Sequence, residues 1–124
     1  VASSGGKLLV AGGRTPTDTA SAEEFDPATG RWSTIASMSS PRGGIAGAAT
    51  ANGLVVIVGG EAQTVFDKVE GYDVKAGRWS LLPPMLTARH GLGVVSIGNK
   101  IYTVAGGHTP GYAFTDANEV LDLS

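Results

Sequence analysis

The amino-acid sequence predicts an all-β protein built from tandem copies of one small antiparallel sheet. A glycine pair recurs every 47 residues, at Gly12-Gly13, Gly59-Gly60 and Gly106-Gly107. The segment Asp26–Ser33 returns as Asp73–Ser80, and both copies end in Gly-Arg-Trp-Ser. A fixed period of this length, marked by glycine and aromatic residues, is typical of repeat architectures.

The composition of the chain excludes several kinds of site and makes some partners unfavourable. The chain has 124 residues, 42% of them hydrophobic, a net charge of −2 and no cysteine. The charges are scattered, so nucleic-acid binding has little electrostatic support. Without cysteine, disulfides, thiolate nucleophiles and zinc-cysteine sites are excluded. The longest apolar run, Leu54–Val58, is too short to cross a bilayer. A secreted or periplasmic location is slightly favoured over a cytoplasmic one.

The second copy is complete and predicts two strands in its first half. Residues 45–50 are small and mildly apolar, and they predict a strand that ends at the turn Ala51-Asn52-Gly53. Leu54–Val58 is apolar without alternation, which predicts a strand buried on both faces. The glycines that follow allow another backbone to come close, where a Cβ would collide.

The second half of the same copy predicts two more strands. After a polar loop, Val69–Asp73 alternates like a half-exposed strand. Lys75-Ala76-Gly77 turns the chain, and Arg78–Leu82 forms a fourth strand that Pro83-Pro84 closes. Four short strands in each copy, without helical periodicity, predict a four-stranded antiparallel blade, and such blades repeated radially form a β-propeller.

The order of the characteristic residues within each copy resembles the kelch repeat. It contains Met-x-x-x-Arg (Met38 and Arg42, then Met85 and Arg89), the glycine pair, a Tyr/Phe-Asp strand end and Gly-Arg-Trp. The resemblance covers essentially the whole chain and implies a bacterial, galactose oxidase-like propeller scaffold that usually closes with six or seven blades. WD-type repeats match less well, because their Gly-His and Trp-Asp marks are missing.

At this period the chain holds about 2.6 copies. We expect blade 1 at about 1–37, blade 2 at about 38–84 and an incomplete blade 3 at about 85–124, whose loop after Gly107 is two residues longer than the loop after Gly60. Closure into a ring needs roughly 280–330 residues. The chain is therefore expected to be either part of a longer propeller or a unit that forms homo-oligomers through exposed blade edges.

Residues that repeat between copies are interpreted as structural. Carboxylates repeated at Glu23, Glu70 and Glu119 are expected to be internal hydrogen-bond or ion-pair partners. The same reasoning assigns packing or blade-linking roles to the aromatic and arginine positions Phe25, Tyr72, Trp32, Trp79, Arg42 and Arg89.

Positions that differ between copies are the candidates for function. The glycine pairs are followed by Arg14, Glu61 and His108, and the position after the repeated arginine holds Gly43 and then His90. By the resemblance to kelch proteins, these positions line the mouth of the central channel, where ligands bind. The longer third loop adds Thr109, Tyr112 and Phe114 as possible walls of the same site.

The sequence favours a binding module over an enzyme. No nucleophile elbow or phosphate loop is present, and a galactose-oxidase copper centre would need a cysteine. We expect no metal and no cofactor. The predicted function is recognition of a protein or peptide partner at the mouth. The alternatives are a carbohydrate-binding or sialic-acid-mutarotase-like enzyme, in which His90 would transfer protons, and a self-assembling structural fragment.

Overall fold

The computed structural model describes residues 1–124 and contains eleven β-strands and no helix. The strands are β1 Ala2–Ser4, β2 Lys7–Ala11, β3 Ala22–Asp26, β4 Arg31–Ile35, β5 Ala46–Ala49, β6 Leu54–Val58, β7 Val69–Asp73, β8 Arg78–Leu82, β9 Gly93–Ile97, β10 Lys100–Val104 and β11 Asn118–Asp122.

The strands form three separate antiparallel sheets. Two have four strands, in the orders β1-β2-β3-β4 and β5-β6-β7-β8, and the third has the order β9-β10-β11. The first strand of each sheet approaches the first strand of the next one. The sheets therefore stand side by side like blades, and the predicted all-β architecture of partial propeller blades is confirmed.

Apolar residues fill the two spaces between neighbouring sheets. Val55 and Ile57 of β6 join a cluster with Leu9 and Ala22 of the first sheet. Val56 and Val58, which alternate with them, join a second cluster with residues of the third sheet. Strand β6 is therefore buried on both faces, as its unbroken apolar run predicts. Each fully buried valine or isoleucine contributes about 1.5–3 kcal/mol to folding.

Strand β7 differs from its prediction. The alternation in Val69–Asp73 predicts a half-exposed strand, but its first four residues are buried. The reason is that β7 lies between β6 and β8 and has a neighbouring sheet on each face. Even its glycine is enclosed, because a Cβ at Gly71 would lie 2.9 Å from the Leu54 side chain.

The third copy is shifted by one residue against the sequence repeat. The backbone amides of Gly12, Gly59 and Ala105 donate equivalent bonds, to the carbonyls of Ser21, Lys68 and Ala117. Ala105 also has a positive φ of 55°, close to the 62° of Gly59. The structural partner of Gly59-Gly60 is thus Ala105-Gly106, because the turn at Gly98-Asn99 is one residue shorter than the turn before β6. The loop that follows is accordingly three residues longer, not two.

The repeated arginines connect consecutive sheets. The Arg42 carbonyl accepts from the Gly13 amide at 3.0 Å on the side of the first sheet. Its buried guanidinium donates to the Gly59 carbonyl at 2.6 Å and to Glu70 at 2.5 Å in the second sheet. Burial lowers the pKa of Arg42, and the bond to Glu70 opposes this shift. Arg89 forms the same bridge one copy later, with Glu119 at 2.8 Å.

The two tryptophans have different surroundings. The Trp79 ring packs at 5.1 Å from the Tyr72 ring, and its Nε1 donates to the Ala36 carbonyl at 2.6 Å across the boundary with the first sheet. Trp32 packs at 5.0 Å from Phe25 but remains 53% exposed, and its indole nitrogen has no acceptor. No sheet lies against that face of the first blade.

This difference predicts unequal effects of tryptophan removal. Trp79→Ala should lower the free energy of unfolding by about 2–3 kcal/mol, because it removes a packed ring and an inter-sheet hydrogen bond. Trp32→Ala should cost about 1 kcal/mol or less, because much of that ring is already in water. Urea denaturation of both variants measures the difference, and equal losses would contradict it.

Two sheet faces remain uncovered. On the first sheet the exposed face carries Leu8 and Trp32. On the third sheet it carries Val95, Val104 and Val120. In the second sheet the positions equivalent to Leu8, Trp32, Val95 and Val104 lie in or against the two apolar clusters, so these exposed faces have the chemistry of inter-sheet surfaces.

Candidate functional site

The loops after the second strand of each sheet meet the inter-sheet linkers at one end of the molecule. Gly43, in the linker to the second sheet, exchanges two backbone hydrogen bonds with Glu61, at 3.0 and 2.8 Å. His90, in the next linker, exchanges two with Gly107, at 3.0 and 2.8 Å. The Gly91 amide donates to the Gly44 carbonyl at 2.7 Å and joins the two linkers, and the Glu61 and His90 side chains approach to 3.7 Å. We call the region formed by Arg14, Asp18, Glu61 and His90 the mouth cluster.

His108 does not occupy the position that the sequence repeat assigns to it. Because the third copy is shifted, Gly107 stands where Glu61 stands in the second copy. His108 lies one residue further along the loop, exposed, with its Nδ1 3.1 Å from the Phe114 carbonyl oxygen. The structure therefore brings Arg14, Gly43, Glu61 and His90 together, whereas the His108 side chain forms no hydrogen bond or ion pair with any of them.

The Glu61 carboxylate lies among groups from the first blade, the second linker and the third loop. One oxygen lies 3.7 Å from Arg14 of the first blade and 3.7 Å from His90 Nδ1 in the linker to the third blade. The other oxygen accepts a hydrogen bond of 2.9 Å from the Gly111 amide in the third loop. The Glu61 side chain thus bonds the third loop and lies close to the first loop and to the linker that carries His90.

His90 is hydrogen-bonded through one ring nitrogen and faces the Glu61 carboxylate with the other. Its Nε2 lies 2.8 Å from the Thr109 carbonyl oxygen. A carbonyl can only accept, so Nε2 must carry the proton. In the neutral ring Nδ1 is then an acceptor that faces Glu61, and in the protonated ring it would form an ion pair with that carboxylate.

Arg14 is the most accessible charged group of the cluster. Its Nε donates to Asp18 at 2.8 Å, while its side chain remains 47% exposed. The bond to Asp18 raises the pKa of Arg14 above its ordinary value. The guanidinium is therefore charged and oriented, and it keeps donors directed to solvent.

The third loop adds aromatic surface next to this cluster. The side chains of Tyr112 and Phe114 are almost entirely in water, at 99% and 79% exposure. The loop is anchored below them by Gly111 and Thr109, through the contacts with Glu61 and His90. Two exposed rings on an anchored loop are a surface suited to recognition.

An open groove of about 650 Å³ runs between the first two loops and the third. Arg14, Asp18, Glu61, Gln63 and Pro110 line it. One cation faces two carboxylates here, so the groove carries a net charge near −1 when His90 is neutral. Asp18 was not singled out from the sequence. Its pairing with Arg14 could have been predicted, because Asp18 carries the opposite charge and follows Arg14 by four residues in a short loop.

No group of three His, Cys, Asp or Glu side chains lies close enough to bind a metal ion. The structure also contains no helix that could serve as a membrane-spanning segment.

Side-by-side antiparallel blades with variable loops at one end define a segment of a β-propeller. The family model described as the Kelch motif matches residues 1–39 and 46–86. These stretches make up more than half of the chain, which therefore belongs to the kelch family. Kelch repeats on a propeller scaffold constitute a generic interaction module.

Comparison with solved structures agrees with the fold. The protein in "Structure of YjhT" is similar with a TM-score of 0.82 and 17% sequence identity, over 97% of this chain and 47% of that one. At this identity the likeness shows a shared fold. The chain spans about half the length of that structure. A comparison with curated proteins finds no match.

Proposed function

We propose that the chain recognises a protein or peptide partner through the mouth cluster and the loop that carries Tyr112. The observation that carries this proposal is the half-exposed, oriented guanidinium of Arg14 at the edge of an open groove. An arginine held by one carboxylate still has donors for backbone carbonyls of a bound chain. Tyrosine and arginine are also the residue types most enriched at binding hot spots.

The charge of the groove favours a neutral or basic segment of the partner. Asp18 and Glu61 already balance Arg14, so a strongly acidic ligand would meet a net negative surface. In this proposal Glu61 and His90 support the loops from below, and Arg14 with Tyr112 makes the contacts. His108 and Gly43 belong to the same surface, the first as an exposed ring and the second as the backbone partner of Glu61.

Replacing Arg14 with alanine should weaken peptide binding by about tenfold or more, as loss of a hot-spot arginine does. The probes are peptides selected from a random display library on the wild-type chain, with affinities measured by fluorescence anisotropy. Arg31→Ala is the matched control, because Arg31 is an exposed arginine on β4, away from the mouth. Tyr112→Ala should also weaken binding.

Selected peptides that bind the Arg14→Ala and Tyr112→Ala variants as tightly as the wild type would contradict the proposal. They would place the recognition surface elsewhere on the blades. The melting temperature of each variant should stay near that of the wild type, because both side chains are largely in water.

A carbohydrate is the second candidate ligand, with sialic-acid-mutarotase-like chemistry as its enzymatic form. The observation that favours it is the 3.7 Å approach of His90 Nδ1 to Glu61, beside an exposed tyrosine ring. A histidine near a carboxylate is suited to proton transfer. Saturation-transfer NMR with N-acetylneuraminate separates the two candidates. Transfer that is lost in His90→Gln would favour the sugar.

A further inference from the structure

A small polar cluster lies between the linker that enters the second sheet and the loop that precedes β7. Ser39 and Ser40 belong to the linker, and Lys68 is the last residue before β7. The Lys68 ammonium donates to Ser39 Oγ at 3.1 Å and to Ser40 Oγ at 3.0 Å. Its nitrogen also lies 5.9 Å from the centre of the Phe66 ring. We call Ser39, Ser40 and Lys68 the serine–lysine cluster.

The hydrogen bonds of this cluster all run in one direction. A lysine ammonium can only donate, so both serine oxygens accept from Lys68 and turn their own protons away from it. Neither hydroxyl donates to another group of the protein. The ammonium has three protons and uses two of them here. Two O–H groups and one N–H group on neighbouring atoms therefore have no acceptor within the chain.

The charge of Lys68 is also without a counterion, because its ammonium forms no ion pair. The adjacent Asp67 is exposed and does not pair with it. Beneath the serines, Glu70 accepts from the Ser39 amide at 2.9 Å and is paired with the buried guanidinium of Arg42. That buried pair is neutral as a whole. The cluster therefore presents one uncompensated positive charge together with its free donors.

The third copy shows that the fold does not require these side chains. It has Leu86 and Thr87 in place of the two serines and Ala117 in place of Lys68. The backbone contacts are nevertheless the same, because the carbonyls of Lys68 and Ala117 accept from the buried arginine of their copy at 3.1 and 2.9 Å. The cation and its two hydroxyl partners are thus an addition in the second copy, and positions that differ between copies are the candidates for function.

We propose that the serine–lysine cluster binds a phosphoryl group, either of free phosphate or of a phosphate monoester. A phosphomonoester carries about −1.5 to −2 elementary charges at neutral pH and three strong acceptor oxygens. It therefore matches one uncompensated cation and three free donors. The lysine acts as a point charge for the phosphate, and the hydroxyls donate beside it. No residue of the mouth cluster takes part, so the site does not depend on the function proposed above.

The test is a titration of the isotope-labelled chain with inorganic phosphate at constant ionic strength, followed by the amide NMR signals of Ser39, Ser40 and Lys68. We expect the shifts of these signals to saturate. Lys68→Ala should weaken phosphate binding by about tenfold or more, because the charge of the site is lost. The variant should fold, since alanine occupies the equivalent position in the third copy. Lys75→Ala is the matched control, because Lys75 is an exposed lysine without an ion pair in the turn before β8.

A second pair of measurements examines the hydroxyls and the source of the phosphoryl group. Replacing both serines with alanine should weaken phosphate binding several-fold. A short peptide with one phosphoserine that binds more tightly than inorganic phosphate would assign the site to phosphorylated protein segments. Peptide binding that is no tighter would assign it to the small anion, and either result supports the proposal. Shifts that do not saturate, that persist in Lys68→Ala, or that disappear in Arg14→Ala instead would overturn it.

Discussion

Replacing Gly59 with valine should lower the free energy of unfolding by about 3–5 kcal/mol. Gly59 has a φ of +62°, a conformation that β-branched residues avoid. An added Cβ would also lie 2.2 Å from the Arg89 carbonyl oxygen, which is backbone and cannot move aside easily. The same carbonyl accepts the Gly60 amide at 2.8 Å, so relief of the clash would break a bond between two blades. Urea denaturation measures the loss.

Two controls separate the collision from the backbone conformation. Gly30 has a φ of +68° and open space around it, so Gly30→Ala should cost only about 1 kcal/mol. Gly59→Ala should cost clearly more. Ala105 already has a side chain in the equivalent conformation, because the outer face of the third sheet is uncovered. Ala105→Gly should therefore change stability by no more than about 1 kcal/mol. Equal losses at Gly59 and Gly30 would disprove the packing argument.

The second large effect is expected at Arg42. Arg42→Ala should cost about 3–5 kcal/mol, the usual cost of breaking a buried ion pair. The change leaves Glu70 and the Gly59 carbonyl buried without their donor. It also removes the side chain that attaches the linker to the second sheet. Unfolding in urea, followed by tryptophan fluorescence, gives the loss directly.

The first blade provides the matched comparison. Glu23 occupies the position of Glu70 but is exposed, and no arginine pairs with it. Glu23→Gln should change stability by about 0.5 kcal/mol or less. Glu70→Gln should be destabilising, because it weakens a charge-assisted bond that is fully buried. A harmless Glu70→Gln would mean that the buried pair contributes no net stability, an outcome known for other ion pairs.

The strands of the second blade could be predicted from the sequence almost residue by residue. The segments Leu54–Val58, Val69–Asp73 and Arg78–Leu82 coincide with β6, β7 and β8. Short apolar runs between glycine and proline turns leave few alternatives for such segments. Burial was harder to predict, since the enclosure of β7 depends on neighbours in two other sheets rather than on its own alternation.

The third blade shows how a sequence repeat can mislead. A one-residue deletion at Gly98-Asn99 and a three-residue insertion after Gly106 leave a net difference of only two residues. The sequence alignment therefore matches Gly106-Gly107 with Gly59-Gly60. The backbone hydrogen bonds instead match Ala105-Gly106 with Gly59-Gly60. This shift explains why His108 was matched with Glu61. Only hydrogen-bond pairing distinguishes the two alignments.

The candidate site could be anticipated only in part. Differences between copies pointed to Arg14, Glu61 and His90, and the resemblance to kelch proteins placed them together. Their distances depend on how the blades stack, which spacing along the chain does not determine. The role of Glu61 as a link between loops and the bond from Arg14 to Asp18 became visible only in the structure.

The contacts of Glu61 have a consequence for the energetics of recognition. Because Glu61 and His90 bond the third loop through Gly111 and Thr109, the entropy of fixing that loop is lost during folding, before any ligand arrives. Immobilising a flexible side chain at an interface costs about 0.5–1.5 kcal/mol. The molecule thus presents a preorganised surface. The dissociation rates of its ligands should depend on the contacts made at this surface rather than on the ordering of the loops.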